Sequence, residues 1–269
     1  MTAPSLRSAL AIAVVFPDLL GTYGDGGNGV VLARRAAWRG IDVDLIQAVS
    51  GRPLPTADLY CIGGGEDGPQ VHAATSLIAE GTLGRSFDHG SVVLGVCAGY
   101  QLLGRNFPDS ADRSQEGLGL LDVTTRKGSG PRAVGEVVAE RMPESPLLPD
   151  GRALSPLSGF ENHGGVTALG PAARRFGRVV AGVGNGGGDG TEGAWADRVV
   201  GTYLHGPVLA RNPDLADLLL GWAVSPDGSG RLLEALDDEA ELALRRERLA
   251  AVARTGRSGL VRRLLARRS

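Results

Sequence analysis

The chain has 269 residues, a formal net charge of -2, 42% hydrophobic and 22% charged residues. That balance suits a globular protein with one full core and room for an appendage; it excludes a disordered chain. Near-neutral charge gives no footing for nucleic acid. The apolar run Ala9 to Phe16 falls far short of the ~20 residues a membrane helix needs and reads as a first strand rather than a leader. The two cysteines, Cys61 and Cys97, lie in apolar surroundings without metal-ligand spacing. Neither a disulfide nor a metal site is expected, and a reducing cytoplasm is the expected location.

Strand 9–16, helix 28–39 closed by Gly40, strand 41–47, strand 58–62, a helix near 70–81, strand 91–96 and a helix from 98 alternate through the first hundred residues. Such alternation argues an α/β fold with a mostly parallel central sheet and helices on both faces. Ligands then sit at the carboxyl ends of the strands, so the loops LGTYGDGGN, IGGGED and VCAGY should share one rim. From about residue 118 the strands become shorter and richer in turns (GLGLLDV, AVGEVVAE, RRFGRVVAGVG, WADRVVGTYL), with GNGGGDGTEG as a hairpin tip. A helix at 213–223 closes a domain spanning 1–225. Residues 226–269 read as a C-terminal helical, Arg-rich appendage whose helix covers 231–254, acidic early and basic late as the helix dipole favours. Its basic end after Gly256 reads either as a solvated helix or as a segment whose Leu260, Val261, Leu264 and Leu265 dock on the partner or whose arginines approach an anionic membrane surface.

Gly95-Val96-Cys97-Ala98-Gly99 is a G-x-C-x-G between a buried strand and a helix, the setting of a nucleophile elbow. Its glycines permit the sharp turn, and a helix N-terminus favours a thiolate over the free-cysteine pKa of about 8.5. The Ala98 amide is placed to serve an oxyanion hole. Cys61, in LYCIGG, reads as core. A cysteine nucleophile needs a base. His205, in GTYLHGP, leaves a strand end; His163, in GFENHGG, competes with it, while His72 and His89 read as surface or packing residues. In IGGGED the amides of Gly64 and Gly65 are further oxyanion donors, although a phosphate loop or a plain turn would look alike. No G-x-x-x-x-G-K-[ST] is present, and Lys127-Gly128-Ser129-Gly130 is not one.

Read in order, FPDLLGTYGDGGN, IGGGED, VCAGYQLLG, GFENHGG and GTYLHGP resemble the class I glutamine amidotransferases, specifically their CobB/CobQ-like, cobyric acid synthase branch. Within that branch the ordered set resembles the GatD group, the glutaminase subunits of lipid II isoglutaminyl synthase, across roughly residues 10 to 255. The resemblance implies a flavodoxin-like fold and hydrolysis of L-glutamine through a cysteinyl thioester, with Cys97 as nucleophile and His205 as acid and base. It also implies a heterodimer with a MurT-type Mur-ligase subunit that holds ATP and Mg and uses the ammonia to amidate D-glutamate of lipid II in peptidoglycan biosynthesis. Lipid II would place the complex at the inner face of the membrane. Arg132, a solvated charge on its residues alone, takes by resemblance the place of the family's glutamine-binding arginine.

One position departs from the wider family: where an acid two residues after the histidine would orient the imidazole, this chain has Pro207. Either a Cys97 and His205 dyad operates or the acid comes from elsewhere. Asp25 is the candidate, since its loop should share the rim, and Glu161 is the second. Other readings are the glutaminase part of a different amidoligase, a free-standing thiol hydrolase, and a binding module with relic motifs.

Overall fold

The apolar runs of the first hundred residues become strands in a computed structural model that describes residues 9–225 and 231–254. In chain order the first half contains β1 (Leu10–Val15), α1 (Gly27–Ala37), β2 (Val43–Ala48), β3 (Leu59–Ile62), α2 (Asp67–Glu80), α3 (Thr82–Asp88), β4 (Val92–Val96) and α4 (Ala98–Leu103). There follow β5 (Asn106–Pro108), β6 (Ser114–Glu116), β7 (Val123–Lys127), β8 (Ala133–Glu140), β9 (Leu157–His163), β10 (Gly165–Leu169), β11 (Arg174–Ala181), β12 (Thr191–Ala196) and β13 (Val199–Thr202). Three helices complete the chain: α5 (Val208–Arg211), α6 (Pro213–Ala223) and α7 (Glu239–Arg254).

Nine strands form the main sheet in the order β2-β1-β3-β4-β13-β12-β11-β8-β9. The first five pair in parallel. The last four join them and each other in antiparallel fashion, so the parallel character foreseen for the sheet belongs to one half of it. Every residue of β1, β3, β4 and β13 is buried, as strands covered on both faces must be. The hairpin tip foreseen at 184–193 does connect the antiparallel neighbours β11 and β12. The antiparallel half curls: beyond β9's pairing with β8, Phe160 and His205 exchange backbone hydrogen bonds (3.1 and 2.8 Å). This closure brings the end of β9 back to the end of β13.

Three local expectations change. Helix 70–81 ends at Gly81 in the left-handed region (φ 67), and an unforeseen second helix, α3, starts at once. The helix foreseen from residue 28 starts one residue earlier, at Gly27, so Asn28 lies inside α1, where its Oδ1 accepts the Leu209 amide at 3.1 Å. The helix foreseen over 231–254 begins only at Glu239. Residues 231–238 are instead drawn onto α1 and α6 by the Arg231 amide bonding Gly221 O (2.9 Å) and by the buried Arg35, which pairs with both Asp217 and Asp238. Asp237 accepts the Glu239 amide at 3.0 Å, which makes it a start signal rather than an interior residue. Leu249 and Val252 of α7 then pack on Val138, Val180 and Ala181. The leucine-bearing basic end after Gly256 lies outside the described residues. Among those described, no helix is long and apolar enough to cross a membrane.

Candidate active site

Four adjacent parallel strands, β1, β3, β4 and β13, end on one rim, and each delivers one part of the site. Cys97 follows β4 with φ 54 and ψ -105, a backbone conformation costly for any residue with a side chain. Its glycine neighbours are required by contact. A Cβ on Gly95 would lie 2.5 Å from Leu103 Cδ1, and one on Gly99 would lie 2.3 Å from Ile62 O. Hydrogen bonds hold the elbow from both sides: the Cys97 amide donates to Thr202 O (2.8 Å) at the end of β13, and the Gly99 amide donates to Gly63 O (3.1 Å) after β3.

His205 lies just past β13, 1% exposed, and its Nδ1–H donates to Asp25 Oδ2 at 2.8 Å. Asp25, from the loop after β1, is equally buried and also accepts the Gly64 amide at 2.9 Å. His205 Nε2 makes no full hydrogen bond, and the Cys97 sulfur is the polar group beside it. Gly64 is the hub of the arrangement. A Cβ there would stand 2.7 Å from His205 Cε1, 3.2 Å from Asp25 Oδ2 and 3.5 Å from Cys97 Cβ. Burial pulls the imidazole down, but hydrogen bonding to Asp25 and Cys97, and their charge, outweigh it and push His205 up to about 10. An imidazole so placed holds a proton beside a sulfur, the arrangement that acyl transfer through a thiol uses.

The structure therefore brings Asp25, Cys97 and His205 together across Pro207's missing acid. Glu161 is directed elsewhere: its two oxygens accept the amides of Val183 (2.7 Å) and Gly184 (2.9 Å). His163 is buried but engaged in other contacts, with Nδ1–H donating to Gly165 O (3.0 Å) and its ring stacked on Tyr203 at 3.7 Å. His72 and His89 are exposed. Cys61 is core, its thiol pushed up to about 12 by burial. The Gly64 amide, foreseen as an oxyanion donor, is occupied by Asp25. The amides of Gly65 and Ala98 have no partner among the described residues and border the cavity that opens at Cys97. Arg132, from the β7–β8 turn, is exposed at the same cavity and bonds Asn162.

Several neighbours escaped the sequence. The edge of Tyr23, with φ 63, meets the His205 ring at 4.9 Å between centroids. Asn162 joins Tyr23 to Arg132. Glu192, fully buried on β12, accepts Thr202 Oγ1 and the Tyr203 amide (2.8 Å each), steadying the strand end that precedes His205. Burial pushes its carboxyl up to about 7. An acid near the start of the otherwise uncharged strand TEGAWA was the available signal for it. Among the described residues no group of three or more His, Cys, Asp or Glu could hold a metal.

Comparison with known proteins agrees with this geometry. Residues 11–213 match the model of the CobB/CobQ-like glutamine amidotransferase domain. The lipid II isoglutaminyl synthase (glutamine-hydrolyzing) subunit GatD of Staphylococcus aureus (strain N315) is 34% identical over 87% of this chain and 92% of its own length. The GatD subunit of Streptococcus pneumoniae (strain ATCC BAA-255 / R6) is 32% identical over 80% of each chain. In fold, a crystal structure of a glutamine amidotransferase superposes with a TM-score of 0.53 at 19% identity, over 80% of this chain and 99% of that one. The chain belongs to the CobB/CobQ-like glutamine amidotransferases.

Proposed function

We propose that this chain is the glutaminase subunit of a lipid II isoglutaminyl synthase. The similarity to GatD subunits runs over nearly the whole of both chains. The observation that carries the chemistry is the buried Asp25–His205 hydrogen bond beside an elbow cysteine.

Cys97 Sγ attacks the side-chain carbonyl carbon of L-glutamine. The oxyanion forms against the Gly65 and Ala98 amides, whose donors are otherwise unspent. His205 Nε2 then delivers its proton to the departing amide nitrogen, the C–N bond breaks, and ammonia leaves a γ-glutamyl thioester. In the second half His205 takes a proton from water as the water oxygen attacks the thioester carbon, the C–S bond breaks, and glutamate departs, with the Cys97 sulfur and the protonated His205 as they began. Asp25 keeps Nδ1 protonated throughout, so that Nε2 is the nitrogen that exchanges protons. Arg132 takes the substrate's α-carboxylate. The ammonia passes to a MurT-type partner that binds ATP and Mg and amidates the D-glutamate of lipid II, which brings the complex to the inner membrane face.

The test is ammonia release from L-glutamine by the full chain, alone and with a MurT-type subunit. Release that disappears in Cys97→Ala is expected. Hydrolysis of esters alone, or failure to form an adduct at Cys97 with diazo-oxo-norleucine, would reject the reading.

A further inference from the structure

We infer that Asn162 is a positioning residue for glutamine, which holds Arg132 ready for the substrate carboxylate and ties it to the catalytic histidine. The inference rests on the glutaminase reading and extends it to a residue outside the elbow and the triad.

Asn162 is the penultimate residue of β9, at the place where the curled antiparallel half returns to the catalytic rim. Its Oδ1 accepts from Arg132 Nε at 2.5 Å and its backbone oxygen accepts from Arg132 Nη2 at 3.0 Å. The same backbone oxygen lies 3.9 Å from Cys97 Sγ. A guanidinium only donates, so the amide oxygen must face Arg132 and the Nδ2 group must face away from it. Nδ2 donates to the Tyr23 hydroxyl, and Tyr23 lies edge-on to His205. One side chain thus spans the β7–β8 turn, β9 and the loop after β1.

Arg132 is exposed, and an exposed arginine samples many rotamers unless something fixes it. Asn162 uses two of the five guanidinium N–H donors and leaves the rest for a carboxylate. Fixing the fork before the substrate arrives lowers the ordering cost of binding, the physical content of preorganisation. An amide is the side chain that can do this without neutralising the charge. Aspartate, of the same shape, would anchor Arg132 equally well but would compete with the substrate for it.

The test is steady-state ammonia release by the full chain with its synthetase subunit present, comparing wild type, Asn162→Ala and Asn162→Asp, each also in an Arg132→Ala background. Asn162→Ala should raise KM for glutamine about tenfold with kcat within about threefold. Asn162→Asp should raise KM further, to about a hundredfold, because the ion pair occupies the fork. In the Arg132→Ala background both changes should move KM by less than about twofold. A merely structural role would not make aspartate worse than alanine, nor vanish without Arg132. Unchanged KM in Asn162→Ala, or effects that add to Arg132→Ala, would overturn the inference. Absence of Cys97-dependent turnover in the wild-type complex would instead overturn the glutaminase reading itself.

Discussion

Two buried histidines stand beside acids in the two halves of one sheet, and they are wired differently. At the parallel half, Asp25 takes Nδ1–H of His205 at 2.8 Å, spends one backbone amide on its support, and leaves Nε2 beside a cysteine. At the antiparallel half, His163 gives Nδ1–H to a backbone carbonyl, and Glu161 stands 3.6 Å from Nε2 with both oxygens committed to amides. In the proposed mechanism the first acid orients a ring for proton transfer; the second holds a loop. Burial and an adjacent carboxylate do not make a histidine catalytic. Nε2 is the nitrogen without a hydrogen bond in both; what distinguishes the two is what accepts from Nδ1 and what Nε2 faces.

The largest test of that contrast removes each imidazole in turn. His205→Asn should lower kcat for glutamine hydrolysis by about 10³-fold or more, as loss of a general acid and base does. His163→Asn should stay within about tenfold, since an asparagine can still donate to Gly165 O. Equal losses would show that His163 shares the proton transfer.

The acids sharpen it next. Asp25→Asn should reduce kcat by about 10²-fold through loss of the tautomer lock, with KM little changed. Glu161→Gln should leave kcat near wild type but cost about 1–3 kcal/mol in stability, because a Gln amide group would face one of the two backbone amides now accepted. Chemical denaturation and kinetics on the same pair separate the two outcomes.

Proton linkage follows from the same bond. His205 is pushed from 6.5 up to about 10, so the fold binds its proton more tightly than the unfolded chain does. The stabilisation is complete below about pH 6.5 and disappears as pH rises through about 10. The midpoint advantage of wild type over His205→Asn in denaturant should shrink across that window. A gap that stays constant from pH 6 to 10 would contradict a charged His205–Asp25 pair.

The elbow was legible because its constraints are local: Gly95 and Gly99 are forced by atoms within a few ångströms, and the motif states them in five adjacent letters. The rim was legible from strand alternation, which places loop ends whatever the side chains do. That Asp25 reaches His205 was open in the sequence between Asp25 and Glu161, because 180 residues separate the partners and only the β1-β3-β4-β13 order brings them together. Asn162 and Tyr23 were not legible at all. Their meeting depends on the curl that returns β9 to the end of β13, and no periodicity in the strand sequences encodes that closure. The late start of α7 has a similar cause: Arg35, far earlier in the chain, draws Asp238 out of a segment whose own composition favours helix.

The smallest effect concerns the loop LGTYGDGGN, which grips the turn after β13 at two points. Asp25 holds the His205 ring, and three residues later Asn28 accepts the Leu209 amide at 3.1 Å. Both contacts cross from the β1 side to the same short segment, so the histidine is fixed at its side chain and, four residues on, through the backbone that carries it. Asn28→Ala removes the second anchor and leaves a buried amide unpaired, at a cost of about 1 kcal/mol. If the anchor serves catalysis as well as stability, kcat should fall about threefold with KM unchanged, and the loss should vanish in an Asp25→Asn background, where the ring is already free to turn. Additive losses in the double variant would mean that Asn28 joins α1 to α5 and has no bearing on His205. A coupled result would show that the loop after β1 fixes His205 for catalysis at both its ring and its backbone.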